Sequence, residues 1–119
     1  MENTQVFWNL ELSIKHGKLE ALKALIDGMI LATKANEPDT INYEWSINLE
    51  NSECHIFERY TNSDAVRTHL GNFQAYAERF FDCLDVQRFH VYGNPDSELI
   101  SALAGLGAVH LKLFDGFSR

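Results

Sequence analysis

The chain is short of most features that would place it in a class at once. It has two cysteines and two prolines in 119 residues. Cys54 and Cys83 form no CxxC pair and fall in different elements, so a disulfide framework is not expected and both read as small buried residues. No window approaches the roughly 18 consecutive apolar residues of a membrane-spanning helix. Basic residues are scarce, ten against seventeen acidic ones for a formal net charge of −7, and they form no cluster. Such a surface repels nucleic-acid backbones and anionic bilayers, so neither nucleic acid nor membrane is an expected partner. Glycine-rich phosphate loops are missing, since Gly105-Leu106-Gly107 is too short for one. His16, His55, His90 and His110 make no HxH or HxxxH pair, so no metal site is expected. The opening MENTQVFWNLEL lacks a basic leader ahead of an apolar block, which leaves the cytoplasm as the expected location.

The length suits one domain over residues 1–119 with a core of its own. Residues 4–14 alternate, with Val6, Trp8, Leu10, Leu12 and Ile14 on one face and Asn9, Glu11 and Ser13 on the other, which predicts a strand. From Leu19 the period becomes helical through Leu22, Leu25, Ile26, Met29, Ile30 and Thr33, and Asn36-Glu37-Pro38-Asp39 ends that helix. A second strand is predicted over 40–49, carrying Ile41, Tyr43, Trp45, Ile47 and Leu49 on one face. The polar turn Glu50–Glu53 joins it to a third, Cys54–Tyr60. Asn62 or Ser63 can cap a second helix whose apolar stripe runs through Val66, His69, Leu70, Phe73, Ala77, Phe80 and Phe81, with Gly71-Asn72 as a place to break it. A fourth strand is predicted over Val86–Tyr92.

This order, β-α-β-β-α-β, predicts an α+β ferredoxin-like sandwich with two helices on an antiparallel sheet. The core spans about 4–92. A C-terminal extension, 94–119, contributes a further helix with Asn94 as cap, Pro95 first and Gly105 closing it, and a strand alternating Val109, Leu111 and Leu113 with His110 and Lys112. Apolar side chains occur at both parities of several strands, as at Phe7 and Trp8, or Ile56 and Phe57. A sheet apolar on both sides needs a second cover, and pairing with another copy in a homodimer supplies it.

With that order in place, Tyr43-Glu44-Trp45, Phe57-Glu58-Arg59-Tyr60 and Asp64-Ala65-Val66-x-x-His69-Leu70-x-x-Phe73 resemble the antibiotic biosynthesis monooxygenase family. The resemblance covers about residues 4–92 and implies a dimeric α/β barrel built from ferredoxin-like subunits. It also implies a cofactor-independent monooxygenase acting on a quinol, anthrone or other electron-rich aromatic molecule, with no bound cofactor. Members of the haem-degrading branch carry a histidine on the second long helix and a strand tryptophan. Here the helix reads Phe73-Gln74-Ala75-Tyr76-Ala77 and the position near Tyr60 is not tryptophan, although Asn9 matches that branch's first-strand asparagine.

Oxygenation without a cofactor requires a base to make the substrate anion, donors to stabilise it, and an apolar cavity. His69 and Glu58 are the catalytic candidates, because the stripe carrying His69 must face the sheet and Glu58 interrupts an apolar strand. Asn9, Tyr43, Trp45, Tyr60, Phe73 and Tyr76 are candidate substrate contacts, with Trp8 and Asn9 on opposite faces so that only one of them can line a given cavity. Arg59 faces away from Glu58, toward solvent or a partner. The same residues also admit a non-catalytic homodimeric small-molecule-binding or stress-response domain, in which a buried Glu–His pair ties helix to sheet. A third reading is a small-carbonyl isomerase that uses the pair without oxygen.

Overall fold

The computed structural model describes residues 3–119. Among them the element order is β1 (Val6–Ile14), α1 (Leu19–Asn36), β2 (Thr40–Asn48), β3 (Glu53–Tyr60), α2 (Ser63–Phe73), α3 (Ala77–Cys83), β4 (Leu84–Arg88), β5 (His90–Gly93), α4 (Ser97–Ala104) and β6 (Val109–His110). The sheet runs β2-β3-β1-β5-β6, with β4 also paired to β1. β1 lies between β3 on one side and the β4–β5 pair on the other, all antiparallel. This is the ferredoxin-like core that the element order predicts.

The fourth strand begins earlier than expected and is divided. β4 pairs with the second half of β1 and β5 with the first half, and a register shift opposite Glu11 and Leu12 bends the path between them. A second irregularity lies in β2, where the pairing steps from Thr40 opposite Tyr60 to Asn42 opposite Arg59. Ile41 is bulged out and half exposed, contrary to the alternation that put it with Tyr43.

β3 alternates without exception, its even-numbered residues buried and its odd-numbered ones only partly so. Cys54, Ile56, Glu58 and Tyr60 therefore share the helix-covered face, while His55, Phe57 and Arg59 lie on the other. α1 buries Leu22, Leu25, Met29 and Thr33 on that covered face. Two apolar clusters result. One joins α1, α3 and the β1–β3 centre through Leu12, Leu22, Met29, Ile56 and Phe80. The other joins Val6, Trp8, Tyr60, Val66 and Val91 to Leu99 and Leu103 of α4. Both cysteines are free and buried.

The second long helix breaks in two, but at Gln74–Tyr76, just beyond Gly71-Asn72. α2 starts on Asn62, whose side chain accepts the Ala65 amide at 2.9 Å. In the extension the cap is Asp96, accepting the Leu99 amide at 2.8 Å, and not Asn94. Asn94 is committed elsewhere, donating to the Asn3 carbonyl at 2.6 Å. The last strand is shorter than the alternation suggests. Only Val109 and His110 pair, and they run parallel to β5, which makes the sheet mixed. Beyond them Leu113, Phe114 and Phe117 are exposed. No helix among the described residues is long and apolar enough to cross a membrane.

Candidate active site

The site is built where α2 crosses β3. The cap at Asn62 sets the phase of α2, and Val66 and His69, three residues apart, point at the sheet. Asp96 reinforces that placement from α4: it accepts from Arg67 at 2.6 Å, and its amide donates to Ser63 Oγ at 2.9 Å. His69 thus meets the one charged side chain on the covered face of β3. Its Nε2 lies 3.2 Å from Glu58 Oε1.

The other ring nitrogen meets a residue that sequence reasoning took only as a helix end. His69 Nδ1 is 2.8 Å from Glu37 Oε1. Glu37 also accepts from Thr40 Oγ1 at 2.9 Å and from Asn72 Nδ2 at 3.2 Å. The sequence does carry the pattern that finds it. Leu25, Met29, Thr33 and Glu37 are spaced by four, so Glu37 continues the buried stripe of α1 past its last turn. Thr40 reaches it through the turn that joins α1 to β2, where the Thr40 amide also donates to the Glu37 carbonyl at 3.1 Å.

Glu58 is held as firmly. Trp8 Nε1 donates to Oε2 at 2.8 Å and the Tyr60 hydroxyl donates to Oε1 at 2.5 Å. Glu37, Glu58 and His69 are all buried. Burial pushes the Glu58 carboxyl above the usual carboxylate range, outweighing the opposing pull of His69, Tyr60 and Trp8. Burial also disfavours the imidazolium of His69, but the hydrogen bond to Glu37 and the charges of both carboxylates overcome it and hold that pKa above its ordinary value. For Glu37 burial is again the largest influence, and it too is overcome, here by His69, Asn72 and Thr40, so its carboxyl falls below the usual range. Burial, then the charge of Glu58, raise Tyr43 and Tyr60, which stay protonated.

The group borders a cavity of about 510 Å3 with mostly apolar walls: Trp8, Tyr43, Glu58, His69, Phe73 and Phe80 contribute from the core, and Ala102 and Leu106 from the C-terminal extension. A second pocket of about 200 Å3 is lined by Thr33, Asn36, Glu37, His69, Asn72 and Tyr76. Met29, His69 and Phe73 border both spaces and form the partition between them.

Of the residues singled out from sequence, His69, Glu58, Tyr43 and Phe73 come together at the larger cavity. Tyr60 stands behind it, its ring 5.5 Å from that of His69. Trp45 packs edge-on against Tyr43 and Phe80 and does not reach the lining. Tyr76 lines only the smaller pocket. Asn9 lies on the opposite face of the sheet, its Nδ2 3.0 Å from His55 Nδ1; the tryptophan beside it is the one that lines the cavity. Among the described residues, three metal-capable groups approach one another at Glu11, Glu53 and His55, within 4.8 Å. They share that opposite face with Asn9, away from the cavity, and Glu53 and Asn9 already engage both nitrogens of His55.

A family model described as antibiotic biosynthesis monooxygenase matches residues 6–81. The structure is similar to that of MupZ from Pseudomonas fluorescens, at 26% identity and a TM-score of 0.86, over 98% of this chain and 96% of that one. It is also similar to Rv0793 from Mycobacterium tuberculosis, at 24% identity and a TM-score of 0.64, over 79% of this chain and 98% of that one. SnoaB from Streptomyces nogalater, a cofactor-independent oxygenase, shares the fold at 15% identity and a TM-score of 0.60, over 71% of this chain and 87% of that one. No match arises among curated proteins.

Proposed function

The chain belongs to the antibiotic biosynthesis monooxygenase family, and from that premise we propose that its cavity oxygenates an apolar, electron-rich substrate, a phenol, quinol or anthrone, by a reaction that proton transfer initiates. The observation that carries this reading is a buried carboxylate in the wall of an apolar cavity, beside an imidazole held between two carboxylates. Glu58 is the base. Its elevated affinity brings it closer to the acidity of a phenol or activated methylene than an ordinary carboxylate would be. His69, with Nε2 toward Glu58 and its side chain in the cavity wall, offsets the charge of the substrate anion. The aromatic walls hold a flat substrate and exclude water. The anion then passes an electron to dioxygen and the radical pair recombines as a peroxide. For an anthrone, loss of water leaves a carbonyl where the ring methylene stood, so CH2 and O2 become C=O and H2O. No step in this sequence draws electrons from anything but the substrate.

One observation favours a second reading. Glu58 and His69 Nε2, 3.2 Å apart, can return a proton as readily as take one, which suits isomerisation of a carbonyl compound without oxygen. The test is oxygen uptake by chelator-treated protein with a panel of quinols, anthrones and catechols, beside Glu58→Gln. Uptake that disappears in the variant is the expected result, and uptake that persists there would place the chemistry elsewhere. If uptake is absent but deuterium enters a bound carbonyl compound anaerobically, isomerisation replaces oxygenation. Saturable binding without either leaves a binding domain.

We propose a homodimer formed on the uncovered face of the sheet. Phe7 stacks on Tyr92 there, with ring centres 5.6 Å apart, and Arg59 lies 4.2 Å from the centre of Phe7. The exposed tail around Phe114 and Phe117 adds apolar surface in need of cover. A light-scattering mass of twice 13.6 kDa at micromolar concentration is expected, and a monomeric mass would overturn this.

A further inference from the structure

Two carboxylates hold His69, yet they stand in different surroundings. Glu58 lines the apolar cavity. Glu37 does not; it lines the smaller pocket across the partition formed by Met29, His69 and Phe73. All of its polar contacts are donors fixed in the fold: His69 Nδ1, Thr40 Oγ1 and Asn72 Nδ2. A carboxylate with that coordination has every reason to stay ionised and none to meet substrate. We propose that Glu37 is a positioning residue, the permanent counter-ion that keeps His69 doubly protonated and aims Nε2 at Glu58 in the cavity wall, leaving Glu58 as the carboxylate that exchanges protons.

The imidazole is faced by Glu37 from the end of α1, Tyr43 from β2, Glu58 and Tyr60 from β3, and Asn72 through Glu37. Both tyrosines are neutral, so the charge of the ring answers to the two glutamates alone. The ring is also packed between the two phenols, with centroids 5.5 Å away in each case. That packing resists a flip, so the nitrogen bonded to Glu37 stays bonded to it. Geometry thus assigns one nitrogen to each carboxylate, and the division of labour follows from which carboxylate the substrate can reach. The elevated proton affinity of His69 agrees with this.

This rests on the cavity being catalytic, but its test does not. The ring nitrogens of His69, assigned by their loss in His69→Gln, are followed by 15N NMR between pH 5 and 10 in the ligand-free protein. In the wild type both nitrogens should carry protons at pH 7.5; a neutral ring there overturns the proposal without need of any variant. Glu37→Gln keeps the shape and, with its oxygen at the Oε1 position, the acceptor for His69 and Thr40; it turns an NH2 toward Asn72 and removes the charge, and should lower the midpoint by at least about one pH unit, roughly tenfold in proton affinity. Glu37→Asp should recover part of that shift. With a turned-over substrate, Glu37→Gln should reduce kcat at least about tenfold and leave KM within about twofold, because Glu37 does not touch the cavity. A folded Glu37→Gln whose His69 midpoint is unmoved overturns the proposal. If the titration behaves as expected and no substrate is ever turned over, the counter-ion role stands and the catalytic reading falls.

Discussion

Glu58→Gln and His69→Ala together separate catalysis from scaffolding. Glutamine has the shape of Glu58 but one acceptor oxygen in place of two. With that oxygen at the Oε1 position it still accepts from the Tyr60 hydroxyl and from His69 Nε2, while the NH2 faces Trp8 Nε1 and leaves that indole hydrogen without an acceptor. One buried donor left unpaired costs about 1–3 kcal/mol. For a domain of this size that moves Tm by roughly 4–12 °C. His69→Ala is the harsher case. It removes the cation between two buried carboxylates and opens a hole beside them. Breaking a buried pair in this way costs about 3–5 kcal/mol, on the order of 10–20 °C in Tm. A large stability loss in His69→Ala therefore says nothing against catalysis, and Glu58→Gln is the cleaner probe. Removing a general base lowers the rate by about 10² to 10⁴. The assay is calorimetric Tm for both variants, with oxygen uptake or proton exchange measured below both transitions. A Glu58→Gln protein that melts as early as His69→Ala while turning over normally would refute the reasoning and leave the pair structural.

Three further outcomes are expected. The first concerns pH. The folded-state pKa of His69 is raised, so its contribution to stability is complete below about 6.5 and drains away as pH climbs through the native value. Glu58, also raised, gives the same sign: the unfolded chain ionises first, near 4.3, and the fold loses ground as pH rises toward the native pKa. Glu37, depressed, contributes above about 4.3 and loses this as pH falls through its lower native value. Tm should thus decline from about pH 6.5 toward 9 and decline less in Glu37→Gln; a flat alkaline limb in the wild type contradicts this. Second, Ala102→Phe narrows the larger cavity from α4 and should weaken binding of a three-ring anthrone at least about tenfold while sparing a catechol, as read by calorimetric titration; equal effects on both would remove α4 from the cavity wall. Third, Arg59→Glu puts a carboxylate beside the Phe7–Tyr92 stack and should convert a dimer to monomers in light scattering, with Tm otherwise little changed.

The parts of the molecule legible in the sequence are those governed by period. The alternation in β1 and β3 and the stripe of α1 specify which face each residue takes, and with them the meeting of His69 with Glu58. What escaped depends on departures from period. Ile41 and Gln87 lie at register shifts that no alternation reports. Asp96 rather than Asn94 caps α4 because the neighbouring β1 entry engages Asn94 first, a tertiary contact with no local signature. Glu37 lay one residue beyond the helix, next to a proline, where a charged residue reads as a solvated end. Its spacing from Thr33 carried the information, but only its contacts with His69, Asn72 and Thr40 show that the spacing continues inward. Ala102 and Leu106 are anonymous apolar residues of the extension, and only the docking of Leu99 and Leu103 on the β1–β5 cluster turns their neighbours toward the cavity.

Two features of the core oppose stability. A cleft of about 510 Å3, open to solvent past Phe81, Val86 and Leu106, leaves apolar surface uncovered that packed side chains would bury, and three buried ionisable groups carry desolvation costs that apolar residues of the same volume would not. Separately, each could be an accident of packing. Here they coincide: Glu58 and His69 stand in the wall with Glu37 directly behind His69, and the rest of the covered face of β1 and β3 is packed apolar core. If the pair were only a tie between helix and sheet, it would serve better in a filled core, where its hydrogen bonds would be equally short and the void absent. Placing the raised carboxylate where it lines the open space, and the depressed one behind the partition, distributes the groups by access to a ligand rather than by distance from solvent. Departures from the most stable packing that converge on one location favour reading the Glu58–His69–Glu37 group as a site over reading it as an ordinary buried ion pair.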